Sequence, residues 1–225
     1  MRKATWLVFV FVMSLTMAHA QKATWNLSKD VRATNNEISF NQGSNGAWYF
    51  MESASLKHIP SIYSFLPNYF APCSSGPDTP LINGVACWED AVHTIDLNPK
   101  VGVNFTNQTQ FLISTVGIPP HAFFLHPAPD RFAIVAWKSP LNAIVSITGS
   151  ITDLDPICGN GILWFVEKGS QRLASGDLPN GGAQSLSLTN VIVSPGQVLY
   201  FIFDPKNGDY GCDTTMLDLT VAEVI

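Results

Sequence analysis

The stretch RFAIVAWKSPLNAIVSITGSI, Arg131 to Ile151, is the part of the sequence that best indicates the fold. Its two halves alternate residue by residue between the two faces of an extended chain, and the segment KSPLN separates them. Such alternation is typical of a strand with a buried face, and a short turn between two such runs is typical of a hairpin. We therefore predict two neighbouring antiparallel strands, with Trp137 in the core.

Similar runs occur on both sides of this hairpin. Each run after it is bounded by Gly, Pro, Asn or Asp, as expected for strands that end in tight turns. Trp164 lies in one of these runs and is a second predicted core residue. No segment combines helical periodicity with caps at both ends. The predicted strands outside the hairpin are 37–40, 46–52, 110–116, 122–126, 161–169, 183–193, 197–204 and 214–224.

The segment from Ser53 to Pro99 is different, because prolines interrupt it and little periodicity is sustained. We interpret it as one long irregular excursion with at most short strands. About nine short strands with almost no helix predict an all-β fold, either a two-sheet sandwich or a closed barrel. We favour an antiparallel jelly-roll sandwich, since a long connection suits a chain that crosses between two sheets.

The N-terminus has the order of a secretory signal peptide. Two basic residues precede an apolar run over residues 6–17, and the small-x-small sequence AHA follows. The run is shorter than the roughly 20 residues that span a bilayer, and no later run is long enough. We therefore predict cleavage after Ala20, a secreted protein without a transmembrane segment, and a single domain over residues 21–225.

The charge of the chain limits its partners. The formal net charge of −5 becomes −7 once the two basic residues of the signal peptide, Arg2 and Lys3, are removed. An acidic chain without a basic run is unsuited to nucleic acid or to an anionic membrane as its main partner.

The four cysteines are Cys73, Cys87, Cys158 and Cys212. An even number in an exported protein predicts disulfides, and the spacing leaves three connectivities open. There is no Cys-x-x-Cys pair, which disfavours a zinc cluster or a thioredoxin-like redox site.

Three stretches together resemble a known family. They are LHPAPDRFAIVAWKSPLNAIVSITGSITDLD (125–155), GNGILWFVEKGSQRL (159–173) and LTNVIVSPGQVLYFIFDPKNGDYGCDTTMLDLTV (188–221). The shared features are a His-Pro before a strand, an acidic loop leading into a Gly-x-Gly strand, and an aspartate-containing loop before the last strand. The chain thus resembles, over about residues 37–223, the jelly-roll β-sandwich domain of secreted bacterial proteins, of the carbohydrate-binding-module type. The resemblance implies a β-sandwich that binds glycan.

In a jelly roll, the loops that carry Cys158 and Cys212 can lie at one end of the sandwich, within the roughly 5.5 Å between Cα atoms that a disulfide needs. We therefore predict the pair Cys158–Cys212, which leaves Cys73–Cys87 to close a loop inside the excursion.

Acidic residues flank both bridged loops. Asp153, Asp155, Asp209 and Asp213, with the carbonyls around Gly159, supply oxygen ligands of the kind that Ca²⁺ prefers. One interpretation is therefore that these residues bind a structural calcium ion. The other is that Asp153 and Asp155 only shape turns, because no regular Asp-x-Asp-x-Asp-Gly loop is present.

Aromatic residues outside the regular strands are the candidates for ligand contact, because planar rings stack on sugar faces. Trp88, Tyr63 and Tyr69 lie in the excursion, and Tyr210 lies in the second bridged loop. The alternative is that these rings pack the excursion onto the sandwich.

Three sequons, at Asn26, Asn104 and Asn107, are acceptors for N-glycans in a eukaryotic secretory pathway. They have no such meaning in a bacterial host.

The leading functional prediction is a secreted, non-catalytic protein that binds glycan or another extracellular surface. One alternative is a structural or adhesive subunit that self-associates into a homo-oligomer through exposed strand edges. A small secreted hydrolase is the other alternative, disfavoured because no Gly-x-Ser-x-Gly, phosphate-loop or zincin motif is present.

Overall fold

The computed structural model describes residues 22–32, 47–74, 81–90 and 99–224. The predicted signal peptide and the predicted strand at 37–40 lie outside these residues. In chain order the elements are β1 (Thr24–Asn26), α1 (Leu27–Arg32), β2 (Trp48–Ser53), a 3₁₀ turn (Pro60–Ile62), β3 (Tyr63–Phe65), β4 (Asn68–Phe70), β5 (Val85–Glu89), β6 (Lys100–Asn104), β7 (Gln110–Ile113), β8 (Val116–Ile118), β9 (Phe123–His126), β10 (Ala133–Lys138), β11 (Ala143–Asp153), β12 (Ile162–Lys168), β13 (Gln171–Leu178), β14 (Ala183–Val193), β15 (Val198–Asp204) and β16 (Thr215–Val224).

Two sheets form the sandwich, and their strands pair antiparallel. The larger sheet has the order β14-β11-β16-β9-β6-β5-β4, with β1 also paired to β16, and the second has the order β13-β12-β15-β10-β2-β3. β7 and β8 form a separate hairpin. The predicted all-β, antiparallel two-sheet fold is confirmed.

The main core lies between the two sheets and follows the strand alternation. Trp137 on β10 and Trp164 on β12 both belong to this core, as predicted. Trp137 is fully buried, and Trp25 on β1 meets it edge-on at 5.1 Å between ring centroids. Burial of this kind contributes roughly 25 cal/mol per Å² of apolar surface, so the alternation is the main reason for the fold.

One short helix, α1, was not expected from the sequence. Asn26 caps it, because its Oδ1 accepts the backbone N–H of Lys29 at 2.9 Å, while Leu27 and Val31 bury one side. At six residues it is too short for the periodicity of an amphipathic helix to be visible in the sequence. No helix in the described ranges has the length and apolar character needed to cross a membrane.

The excursion from Ser53 to Pro99 contributes three short strands, β3 at one end of the second sheet and β4 and β5 at one end of the larger sheet. The predicted disulfide Cys73–Cys87 is confirmed, with 5.4 Å between the Cα atoms. Both sulfurs lie in a small second core on the outer face of the larger sheet. The bridge therefore holds a segment with few core residues of its own against β5.

Part of the excursion covers the outer face of the second sheet. The ring of His58 lies 4.9 Å from that of Phe132 and 4.4 Å from that of Phe165, between centroids. Its Nδ1 is 2.9 Å from Oε1 of Glu167, a carboxylate that is only 2% exposed and that Arg172 also contacts. The loop before the 3₁₀ turn is therefore held on the sheet by the His58–Glu167 contact and two aromatic contacts.

The side chain of Asn104, at the end of β6, is a hydrogen-bonding centre with no exposed surface. Its Nδ2 donates to the carbonyls of Gln108, Ile118 and Pro119, and its Oδ1 accepts from the backbone N–H and the hydroxyl of Thr106. It therefore fixes the loop that leads from β6 to the β7–β8 hairpin.

We expect Asn104→Asp to lower the free energy of unfolding by about 3 kcal/mol, because the buried carboxylate oxygen that replaces Nδ2 would face three carbonyls and donate to none. Asn107→Asp is the control, since Asn107 is exposed and its Oδ1, which the variant keeps, lies 2.8 Å from Nε2 of His121. Urea unfolding of both variants is the measurement. Equal stability of the two would contradict this role of Asn104.

Candidate functional site

A cavity of about 390 Å³ lies on the outer face of the larger sheet, at the end where the bridged loops meet. One wall comes from strands β6 and β9, another from the β7–β8 hairpin, and a third from the loop before β16. The lining residues are Lys100, Leu112, Ile113, Val116, Phe124, His126, Asp155, Thr214 and residues 208–212.

The strand wall is set by the pairing of β6 with β9. Lys100 is the direct partner of His126 in this pairing, so both side chains leave the same face of the sheet next to each other. Phe124 leaves on that face as well, two residues before His126. Its ring occupies the space that a side chain at Gly102 would fill, since a Cβ there would lie 2.5 Å from it. The glycine thus allows Phe124 to form the floor of the cavity.

The hairpin wall is apolar. Val116 is buried against Phe124 in the second core, Leu112 packs against the same core, and Ile113 is 48% exposed at the rim. Contact with an apolar face of a ligand would remove this exposed surface from water.

The loop wall is held by the predicted disulfide Cys158–Cys212, which is confirmed with 5.5 Å between the Cα atoms. Next to it, the N–H of Leu154 donates to the carbonyl of Thr214 at 2.8 Å. Tyr210 lies in this loop, half-buried, and its ring meets that of His126 edge-on at 6.0 Å between centroids. The bridge therefore lies in the loop that brings Tyr210 to the cavity.

Polar groups at the cavity are partly held by protein partners. Lys100 Nζ donates to the carbonyl of Ser74 at 2.7 Å and lies 3.3 Å from a carboxylate oxygen of Glu89. His126 Nδ1 is 2.7 Å from the carbonyl of Pro127, which makes this nitrogen the donor. The ring and the ammonium are thus oriented before any ligand enters.

The four aspartates predicted as calcium ligands all lie at this end of the sandwich, but their roles differ. Asp153 accepts the N–H groups of Asp155 and Gly181, at 2.8 and 2.7 Å, and so shapes turns. Asp155 and the exposed Asp209 line the cavity. Within the described ranges, no three His, Cys, Asp or Glu side chains come together as a metal-binding group.

Asp213 is the most unusual of the four. It is 1% exposed, and burial is the main cause that raises its pKa, to about 8. The neighbouring Asp153 and Asp209 raise the pKa further, and Lys206 lowers it. Burial also raises the pKa of Asp155, with a contribution from Asp153. The carboxyl groups of Asp213 and Asp155 are therefore costly to ionise.

The four aromatic residues predicted as ligand contacts are not together. Trp88 is 2% exposed and packs between Phe50 and Tyr69, at 4.4 and 5.3 Å between centroids. Tyr63 is 8% exposed and belongs to the cluster on the outer face of the second sheet. These three rings pack the excursion onto the sandwich, which leaves Tyr210 as the member of the set that lines the cavity.

The three sequons also differ. The amide of Asn104 is fully buried with its nitrogen donating to three carbonyls, so a glycan on it is incompatible with the fold. Asn26 uses its Nδ2 on Thr220, at 2.9 Å. The side chain of Asn107, by contrast, is exposed.

Lys100, His126 and Phe124 are cavity residues that sequence reasoning did not identify. The pairing of Lys100 with His126 depends on the register of two strands that the chain connects through a separate hairpin. No local sequence signal specifies that register.

Comparisons with known proteins give distant likenesses only. No family model matches, and no curated protein matches. Among solved structures, a family 61 carbohydrate-binding module in complex with β-1,4-galactotriose has a TM-score of 0.37 and 13% identity, covering 62% of this chain and 88% of that one. A family 29 module complexed with cellohexaose has a TM-score of 0.35 and 13% identity, covering 69% and 90%. A module from Cellvibrio mixtus lichenase 5A, in complex with cellotriose, has a TM-score of 0.27 and 10% identity, covering 70% and 98%. All three are carbohydrate-binding modules, the class that the sequence resembles, and likeness at this level does not indicate a ligand.

The raised pKa of Asp213 predicts a pH dependence of stability in EDTA. Because the folded pKa lies above the unfolded one, the folded state holds the proton more tightly, and its free energy of unfolding falls as pH rises from about 4 to about 8. We expect Asp213→Asn to reduce this fall, so that the stability of the variant rises relative to that of the wild type as pH increases. Urea unfolding at pH 5 and pH 8 is the measurement. A difference between the two proteins that is the same at both pH values would contradict the raised pKa.

Proposed function

We propose that this protein is an exported, non-catalytic β-sandwich that binds glycan in the cavity between the β7–β8 hairpin and the bridged loops. The observation that carries the proposal is the combination of one oriented aromatic ring, an apolar wall and fixed polar groups around a single concave site.

This combination suits a sugar for a physical reason. A pyranose ring has C–H faces that pack on aromatic or apolar surface, and hydroxyl groups around its edge that need hydrogen-bond partners. Tyr210 and Ile113 offer the first kind of contact. Lys100 and Asp209 offer a charged donor and a charged acceptor, which make the stronger hydrogen bonds, and Asp155 adds a further carboxyl group.

The size of the cavity is also suitable. Its volume of about 390 Å³ lies within the range of roughly 300–1,000 Å³ that small-molecule sites occupy. The lining loop is fixed by the Cys158–Cys212 disulfide, so less conformational freedom is lost on binding. Two disulfides in one chain also support an oxidising, extracellular environment.

We expect Tyr210→Ala to weaken binding to the best ligand of a glycan array at least tenfold, because an aromatic contact that contributes ~1.5 kcal/mol or more is lost. Phe65→Ala is the matched control, since Phe65 is a 54% exposed aromatic residue on the other sheet. Isothermal titration with the array ligand measures both variants. Loss of binding in Phe65→Ala alone would place the site on the second sheet, and an array without signal for the folded wild type would reject glycan binding.

Self-association is a second candidate function, favoured by one observation. Ile144 on β11 and Ile192 on β14 are direct partners across the sheet, and they are 43% and 63% exposed. β14 is the last strand of the larger sheet in the described part of the chain, so an apolar pair lies beside an open edge.

If this edge joins two copies, the mass measured by light scattering should rise with concentration, and the double variant Ile144→Thr, Ile192→Thr should remain monomeric. Threonine keeps the β-branched shape and removes apolar surface, so the strands should persist. A wild-type mass that stays monomeric at every concentration would reject this candidate.

A further inference from the structure

The carboxyl group of Asp213 lacks the partners that a buried acidic group normally has. It is 1% exposed, and neither of its two oxygens has a hydrogen-bond partner among the described residues. Buried carboxylates are normally paired with a cation, hydrogen-bonded to donors or bound to a metal ion, since an isolated one costs several kcal/mol. A missing positive partner is therefore the first interpretation to examine.

The surrounding charges do not supply that partner. The groups that act electrostatically on Asp213 are three further carboxyls, those of Asp153, Asp204 and Asp209, and one ammonium, that of Lys206. The Lys206 ammonium already contacts Asp177, at 2.6 Å, and the carbonyl of Asn160, at 3.1 Å. Four carboxyl groups, that of Asp213 included, thus interact with a single amine, and this amine already has other partners.

Neutral oxygens lie in the same two bridged loops. Asn160 Oδ1 is buried and also lacks a partner among the described residues, while its Nδ2 donates to the carbonyl of Lys206. A Cβ on Gly159 would lie 2.3 Å from the carbonyl oxygen of Gly211 and 3.4 Å from Oδ1 of Asp213. The glycine therefore allows the two bridged loops to approach, with a carbonyl and a carboxylate oxygen on the approaching side.

From these contacts, the geometry points to a Ca²⁺ site between the two bridged loops, with Asp213 as its central ligand and Asn160 and backbone carbonyls as neutral ligands. Calcium accepts six to eight oxygens and readily combines carboxylate, amide, carbonyl and water. No three acidic side chains gather here in the described ranges, so most of the ligands would be neutral. A divalent ion would offset the excess of carboxyls at this end of the sandwich.

A bound proton is the competing explanation for a buried Asp213. A proton removes the charge of one carboxyl, but it leaves Asn160 Oδ1 without a hydrogen-bond partner among the described residues. The two explanations predict different responses to calcium, because only a metal site gains stability from the ion.

The test uses the purified chain, freed of metal with EDTA and transferred to chelator-free buffer. Calorimetric titration with CaCl₂ should show one site per chain, and saturating calcium should raise Tm by roughly 5 °C. Asp213→Asn, which keeps the shape of the side chain, should abolish both effects. Asp218→Asn is the control, because Asp218 is an exposed residue of the following strand, and it should respond as the wild type does.

Asn160→Ala gives a second line of evidence if Asp213→Asn does not fold, and it should bind calcium at least tenfold more weakly. Absence of heat and of a Tm shift in the metal-free wild type would overturn the proposal, as would a full response in Asp213→Asn. No glycan enters this experiment, so its failure leaves the proposed glycan site standing, and a failed glycan array leaves the calcium site standing.

Discussion

The pairing of β16 with three other strands is the constraint on which the rest of the molecule depends. Its whole length pairs with β11, while its other edge takes β9 near its start and β1 near its end. Because β11 ends where β16 begins, the loops that follow and precede them must lie side by side. The Cys158–Cys212 disulfide then fixes a neighbourhood that the hydrogen bonds between strands have already created.

The position of the cavity follows from the same pairing. β9 is bound to β16 on one edge and to β6 on the other, so Lys100 and His126 leave the sheet beside the loop that carries Tyr210. The outer face of the second sheet is different, because the loop with His58 lies on it and contacts Phe132 and Phe165. One outer face is thus covered by the chain itself, and the other contains the concave site.

Sequence reasoning succeeded where the information is local. Alternation specified the strands β10 and β11 and the burial of Trp137, and the turn residues marked the loops that carry the cysteines. It did not separate Trp88 from Tyr210, since both lie outside long alternating runs, although β5 turns Trp88 into the core. Whether a ring faces the core or a cavity depends on the strand partner, which is a contact between distant parts of the chain. The six-residue helix α1 was missed because its stability comes from packing and from the Asn26 cap rather than from periodicity.

The bridged loops are held in place by the disulfide, and two features of their structure are locally unfavourable. A binding loop loses less entropy on binding when it is rigid, and rigidity here is achieved with left-handed backbone at Lys206, Asn207 and Cys212, which is unfavourable for residues other than glycine. The same loop buries Asp213 among other carboxyls, which is a second unfavourable feature. Both features persist because β11 and β16 fix the ends of the loops over a long ladder. The stability of the sandwich therefore supports a strained, acidic end, and it is at this end that Tyr210 and the cavity lie.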